Sequence, residues 1–158
     1  MQSTLEQNVG RGRFFDDFEI GQTFRTPART LTSTDIVNFA CLSGDFNEVH
    51  TNFEYCKNTP FGEPVAHGPL IYSIMGGLQY ASGINEGTLL ALLEINAWKM
   101  LGPVKHGDTI YMQSKVIGKK PASKPDRGVI KFERHCINQH GAVVQQMEAT
   151  LLYRRRAA

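Results

Sequence analysis

The stretch His67-Gly68-Pro69-Leu70-Ile71-Tyr72-Ser73-Ile74-Met75-Gly76-Gly77-Leu78-Gln79-Tyr80-Ala81 decides the fold. Gly68-Pro69 starts a helix well, because proline near the first helical position gives up an N–H that has no partner there anyway. Leu70, Ile71, Ile74, Met75, Leu78 and Ala81 follow at helical spacing, with Gly76-Gly77 on the remaining surface. A helix apolar over most of its circumference should be buried. The glycine pair lowers helix propensity, which is tolerable where another element packs close against it. The expectation is a buried helix that the rest of the chain covers.

Working upstream, Thr32-Ser33-Thr34-Asp35 has the Thr-x-x-Asp spacing of a capping-box-like helix start. Ile36, Val37, Ala40 and Cys41 follow at helical spacing, which reads Cys41 as a core residue, and Gly44 is a good terminator. Asp45 therefore lies on a loop just past a helix C-terminus. From Ser43-Gly44-Asp45-Phe46-Asn47-Glu48-Val49-His50 the loop gains a carboxylate, an amide and an imidazole at close spacing. A carboxylate and an imidazole held together can share one water and move its protons in two directions. The helix start near Gly68 offers unpaired backbone N–H groups to an oxygen that gains negative charge. Those are the parts needed to add water across, or remove it from, an activated double bond. Between the two regions, Asn52 to Asn58 reads as a short helical turn, and Pro60, Gly62 and Pro64 as a loop.

Downstream the chain reads as strands. Ile110, Met112 and Val116 alternate with Tyr111, Gln113 and Lys115 between Thr109 and Ile117. A loop from Lys119 to Gly128 follows, then a strand from Val129 to Ile137, a turn from Asn138 to Gly141, and a strand from Val143 to Tyr153. Thr23 to Leu31 has strand composition interrupted by Pro27, which suggests a sheet edge. Residues 1–13 are polar and without periodicity, a flexible lead-in to one domain spanning 14–158. Thr88 to Met100 is ambiguous: its Leu, Ala and Glu content favours helix by propensity alone.

A chain of 158 residues with 41% apolar and 20% charged residues has the make-up of about one globular domain. A net charge of +2 is too balanced to argue for a nucleic-acid partner, and Arg154-Arg155-Arg156 reads as a solvated tail. Cys41, Cys56 and Cys136 are odd in number and widely spaced, which argues against a disulfide framework and for a reducing compartment. With no apolar run of about 18 residues and no signal peptide, neither a membrane span nor export is expected, and a cytoplasmic location is. The five histidines have no His-x-x-x-His spacing, so no metal is expected.

Two regions resemble a known family. Ser43 to His50, followed by Pro64-Val65-Ala66-His67-Gly68, is similar to the hydratase motif of MaoC-like dehydratases, which include the (R)-specific enoyl-CoA hydratases. Phe14 to Gly21 resembles that family's entry segment, and Leu101 to Thr109 its turn between two sheet strands. The resemblance implies an α+β hot-dog fold, a long central helix wrapped by a curved antiparallel sheet. It is this implied fold that assigns Thr88 to Met100 to the sheet. It further implies a homodimer or higher homo-oligomer with active sites at the subunit interface, and no cofactor.

By position, Asp45 and His50 match the family's catalytic pair and Asn47 the residue that supports their loop. Gly68 matches the residue whose backbone N–H contacts a thioester oxygen. The implied activity is that of a lyase interconverting trans-2-enoyl and (3R)-3-hydroxyacyl thioesters, carried on CoA or acyl carrier protein. Glu48 stands where many relatives have proline, and Pro69 has no N–H to offer. His67 reads as a structural neighbour whose ring hydrogen-bonds near the loop. Lys99, Lys105, Lys119 and Lys120 are candidates for phosphate contacts or plain solvation. Alternative functions are a non-catalytic acyl-thioester-binding subunit and a hot-dog thioesterase. The latter generally carries a carboxylate on the central helix, and Leu70 to Ser82 contains neither Asp nor Glu.

Overall fold

Residues 11–156 are described in the structure, a computed structural model. A single 3-10 turn (Phe15–Asp17) is followed by strands β1 (Thr23–Arg25) and β2 (Arg29–Thr30) and by helices α1 (Ser33–Ser43), α2 (Glu48–Thr51), α3 (Phe53–Cys56) and α4 (Gly68–Ala81). Strands β3 (Leu89–Met100), β4 (Thr109–Pro121), β5 (Arg127–Ile137) and β6 (Val143–Arg154) complete the chain. The strands pair antiparallel in the order β1-β4-β5-β6-β3, with β2 pairing separately against β4. This is the α+β hot-dog fold that the resemblance implies, with α4 as the wrapped helix.

Period-two alternation builds one buried face of the sheet, part of which packs against α4 and part under the N-terminal segment. Ile110, Met112, Ser114 and Val116 of β4 are buried, as are Ile130, Phe132, Arg134 and Cys136 of β5 and Met147, Ala149, Leu151 and Tyr153 of β6. Against its part of that face α4 lays Leu70, Ile71, Ile74, Met75 and Leu78. The helix is sided, contrary to its apolar circumference. Ser73, Gly76, Gly77 and Tyr80 are exposed, and no atom comes within 4 Å of a Cβ built on either glycine. The reason is that this chain's sheet curls around one face of α4 only. The other face lines a groove of about 470 Å³ with Arg29, Ser73, Ile74, Gly77, Leu78 and Ala81.

Thr88 to Met100 shows tertiary pairing overriding local propensity. Its residues ladder onto β6 from Leu89↔Tyr153 to Met100↔Gln145, with register shifts along the way. One shift falls between Asn96 and Lys99, where Ala97 has φ +49°, the one positive φ outside glycine among the described residues. The expected strand from Thr23 to Leu31 is broken into β1 and β2 at Thr26-Pro27-Ala28. Thr26 bridges the break, its N–H donating to Met112 O at 2.9 Å and its hydroxyl accepting from Met112 N–H at 2.9 Å.

A second core lies under the N-terminal segment. Phe15, Phe18, Ile84, Val116, Ile130, Phe132, Ala149, Leu151 and Tyr153 form it. Phe18 is fully buried, its ring 5.6 Å from that of Phe132 and 4.8 Å from that of Tyr153. Gly128 makes room here, since a Cβ on it would stand 2.2 Å from the Phe15 ring. Residues 11–13, expected within the lead-in, are pinned alongside the end of α4: Gly12 N–H donates to Gly83 O at 2.8 Å and Arg13 N–H to Ile84 O at 2.9 Å. The rest of that lead-in, residues 1–10, lies outside the described residues.

The C-terminal arginines correct the reading of a solvated tail. Arg155 pairs with Asp16 and Arg156 with Asp17, both at 2.8 Å, so they clamp the 3-10 turn onto the sheet. Arg134 crosses from sheet to helix, donating from Nη2 to Gln79 Oε1 at 2.8 Å, and burial pushes its guanidinium below the usual range. Cys41 is also corrected: it is exposed. The buried stripe of α1 runs through Ile36 and Ala40, which turns the Val37–Cys41 stripe outward.

Candidate active site

The candidate site grows from two helix ends and the strap between them. Thr32 and Asp35 close a capping box at the start of α1, with Thr32 N–H donating to Asp35 Oδ2 at 2.8 Å. At the other end Gly44 has φ +77°, and its N–H donates to Ala40 O at 2.8 Å. That left-handed residue reverses the chain without the steric penalty a side chain would bring. Asp45 thereby leaves the helix axis. Asn47 N–H donates to Asp45 Oδ1 at 3.3 Å, which fixes one carboxylate oxygen and leaves Oδ2 pointing onward.

Asn47 then caps α2, its Oδ1 accepting from Val49 N–H at 3.2 Å. His50 therefore sits on one turn of helix rather than on open loop, as the spacing alone suggested. Glu48 is the first residue of that turn. At such a position proline loses nothing and a carboxylate meets the positive end of the helix, so Glu48 is a workable replacement.

The strap from Pro64 to His67 holds both imidazoles. Val65 N–H donates to Val49 O at 3.1 Å, and His50 Nδ1–H donates to Val65 O at 2.7 Å. With Nδ1 engaged as donor, Nε2 of His50 is the free ring position, and it faces Asp45 Oδ2 across 4.0 Å. His67 Nε2–H donates to Asp45 O at 2.9 Å, which is the structural hydrogen bond expected of it. The two rings stack with centroids 3.7 Å apart, and Phe39 backs His67 at 5.1 Å. Burial is graded across the group: the His67 side chain is 2% exposed, His50 15% and Asp45 53%.

Gly68 follows His67 directly and opens α4. The first N–H of the helix with a backbone acceptor is that of Ile71, bonded to His67 O at 3.3 Å. Pro69 has no N–H, so the Gly68 and Leu70 N–H groups stand without an acceptor among the described residues. Asp45, Asn47, His50 and the Gly68 end of α4 are thus gathered in one place.

Asp45, His50 and His67 present possible ligand atoms within 4.8 Å of one another. The His67 Nε2 proton is committed to the Asp45 carbonyl, however. The Asp45 carboxylate and His50 Nε2 keep free lone pairs, and His67 Nδ1 is buried without a hydrogen-bond partner among the described residues. Among the thiols, burial pushes Cys136 up to about 12, which makes it a packing group rather than a nucleophile. Of the lysines singled out in the sequence, Lys105 Nζ donates to Phe61 O and Lys119 Nζ to Phe18 O, so each has a structural engagement.

An antiparallel sheet wrapped around one helix defines the hot-dog fold, and here a carboxylate and an imidazole face each other beside the helix start. The chain belongs to the MaoC-like domain family, whose model matches residues 17–133. It is similar to the (R)-specific enoyl-CoA hydratase of Rhodospirillum rubrum, at 31% identity over 88% of this chain and 90% of that protein. It is also similar to Protein MaoC of Klebsiella aerogenes, at 38% identity over 64% of this chain, although the match spans only 30% of that longer protein. A solved structure from Archaeoglobus fulgius, described as a monoamine oxidase regulatory protein, superposes with a TM-score of 0.84. Its sequence is 31% identical, over 95% of this chain and 99% of that one.

Proposed function

We propose that the protein is a hydro-lyase that interconverts a trans-2-enoyl thioester and a (3R)-3-hydroxyacyl thioester. The observation that carries this reading is the 4.0 Å span between Asp45 Oδ2 and His50 Nε2. It is too long for a direct hydrogen bond, yet one water placed about 2.8 Å from each atom fits it at near a right angle. In the hydration direction the water oxygen bonds C3 while the pair takes one of its protons. Charge moves onto the thioester oxygen, where the uncommitted N–H of Gly68 donates. As the enolate collapses, the pair returns a proton to C2, and H and OH reach the same face. Asn47 acts by holding both partners, through Asp45 Oδ1 and through the cap of α2.

A CoA or acyl carrier protein thioester is the proposed substrate and a second copy of the chain the proposed partner. The second copy is supported by β3, which pairs with β6 on one side only and exposes Leu92, Leu93 and Met100. Cytoplasmic residence fits the absence of any disulfide among the three cysteines.

The test is one assay with two readouts on crotonyl-CoA: loss of enoyl absorbance and release of free thiol. Absorbance loss without thiol is the expected result. Thiol release points to hydrolysis instead, and neither signal across a panel of enoyl-CoA lengths leaves only binding.

A further inference from the structure

We infer that Gln145 is a positioning residue for the oxyanion end of the site, acting through a relay that runs from Trp98 to Gly68. This rests on the reading above that Gly68 N–H meets the thioester oxygen. Gln145 is 2% exposed on β6, and its amide is used from both ends. Its Nε2 donates to Gly68 O at 2.9 Å, and its Oε1 accepts from Trp98 Nε1–H at 3.1 Å. An amide whose oxygen is held by an indole N–H cannot flip without losing both bonds, so its NH2 stays aimed at Gly68.

The far end of the relay is built with some strain. Between Asn96↔Glu148 and Lys99↔Gln146 the edge strand carries one residue more than β6, and Ala97 there is in the left-handed region. Alanine adopts that conformation reluctantly, and an extra residue in one strand turns the following side chain. Here the side chain turned is Trp98, which lands against Tyr72 of α4 with ring centroids 5.4 Å apart. Met100 of the same strand reaches Gly68 as well: a Cβ on that glycine would lie 2.7 Å from Met100 Cε. Edge strand, sheet and helix start therefore converge on one glycine.

The carbonyl and the N–H of Gly68 flank the same Cα. Glycine has the widest choice of backbone angles, and Pro69 cannot add an N–H of its own to steady the turn. A fixed carbonyl narrows that choice, and with it the direction of the N–H. Gln145 need touch neither substrate nor water to matter.

The experiment compares full-length wild type with Gln145→Leu and Trp98→Phe. Crotonyl-CoA kinetics are measured together with the infrared carbonyl stretch of bound butyryl-CoA, a saturated thioester that cannot be hydrated. Folding is followed by circular dichroism. We expect kcat to fall about tenfold in Gln145→Leu, against the 10²- to 10³-fold typical of losing an oxyanion donor outright, with KM within about threefold. The low-frequency shift of the bound carbonyl should shrink in both variants. Both variants keeping kcat within about twofold and an unchanged carbonyl shift overturns the inference. So does a loss of kcat that only follows the folded fraction. If Gln145→Leu does not fold, Trp98→Phe carries the same comparison with the glutamine still in place. A wild type inert toward enoyl-CoA overturns the hydratase reading instead, and the carbonyl shift of bound butyryl-CoA then decides the relay by itself.

Discussion

The two ends of this molecule are held together in different ways. Around Phe18 the core is packed rings, and the polar groups near it are taken: Tyr153 donates to Asn85 Oδ1, Lys119 to Phe18 O, and Arg155 and Arg156 to Asp16 and Asp17. Around His67 the frame is a chain of hydrogen bonds between loop and strap, and it leaves Asp45 Oδ2, His50 Nε2 and the Gly68 N–H uncommitted. The atoms offered for chemistry are those that folding does not use. On the proposed function, one end can be altered at the expense of stability and the other at the expense of turnover.

The sharpest break of that contrast is at the pair itself. Asp45→Asn and His50→Gln should each lower hydration of crotonyl-CoA by 10²- to 10⁴-fold, the usual weight of a general acid–base group, while the melting temperature barely moves. Near-normal turnover in both variants removes the pair from the mechanism. At the opposite end, Phe18→Ala should lose about 3–5 kcal/mol in chemical denaturation, with activity per folded molecule unchanged. A selective loss of kcat there means the two ends are coupled.

Asn47→Ala probes the seam between the two kinds of residue, since its side chain caps α2 and its backbone holds Asp45. It should lose about 1 kcal/mol of stability and on the order of tenfold in kcat, inside the hundredfold that a 1 Å misplacement can bring. A change in stability alone makes Asn47 a cap and nothing more.

The smallest effect is set by acid. The Arg155 guanidinium holds Asp16 below its ordinary 3.8; burial alone would raise Asp17, but Arg156 and the Phe14 N–H outweigh it and hold that group low as well. Both bind protons more weakly when folded than when unfolded. Their contribution is therefore whole above about pH 4 and is lost as pH falls through the folded values. Solvent screening keeps it modest. Melting curves between pH 5 and 3 should drop less steeply in the Asp16→Asn, Asp17→Asn double variant than in wild type.

What could be read from the chain was whatever is local. The Thr32 cap, the Gly44 stop and the Gly68-Pro69 start each depend on a few adjacent residues, and the site lies on the segment they bracket. What needed partners from afar was hidden. Cys41 shares helical spacing with Ala40, and only the position of the sheet decides which stripe is inside. Arg155 and Arg156 look solvated until Asp16 and Asp17, at the other end of the sequence, lie beside them. Gln145 stands in register with Met147, Ala149 and Leu151, but nothing near it announces that Trp98 and Gly68 come to its two ends. Gly76 and Gly77 of α4 face open space, because the curvature of a sheet is not written in the helix it covers.

The outer edge of β3 has a consequence for how the chain behaves in concentrated solution. A free edge is a template for further strands, and a flat one of 12 residues invites stacking without end. This edge is not flat. Its register shifts and the kink at Ala97 break the row of donors and acceptors into short runs, and Glu94 and Lys99 set charges along it. Short runs can be matched by one neighbour in one register, whereas a growing fibre needs the same spacing repeated at every step. Irregularity in this strand is thus a guard against aggregation as well as a means of aiming Trp98.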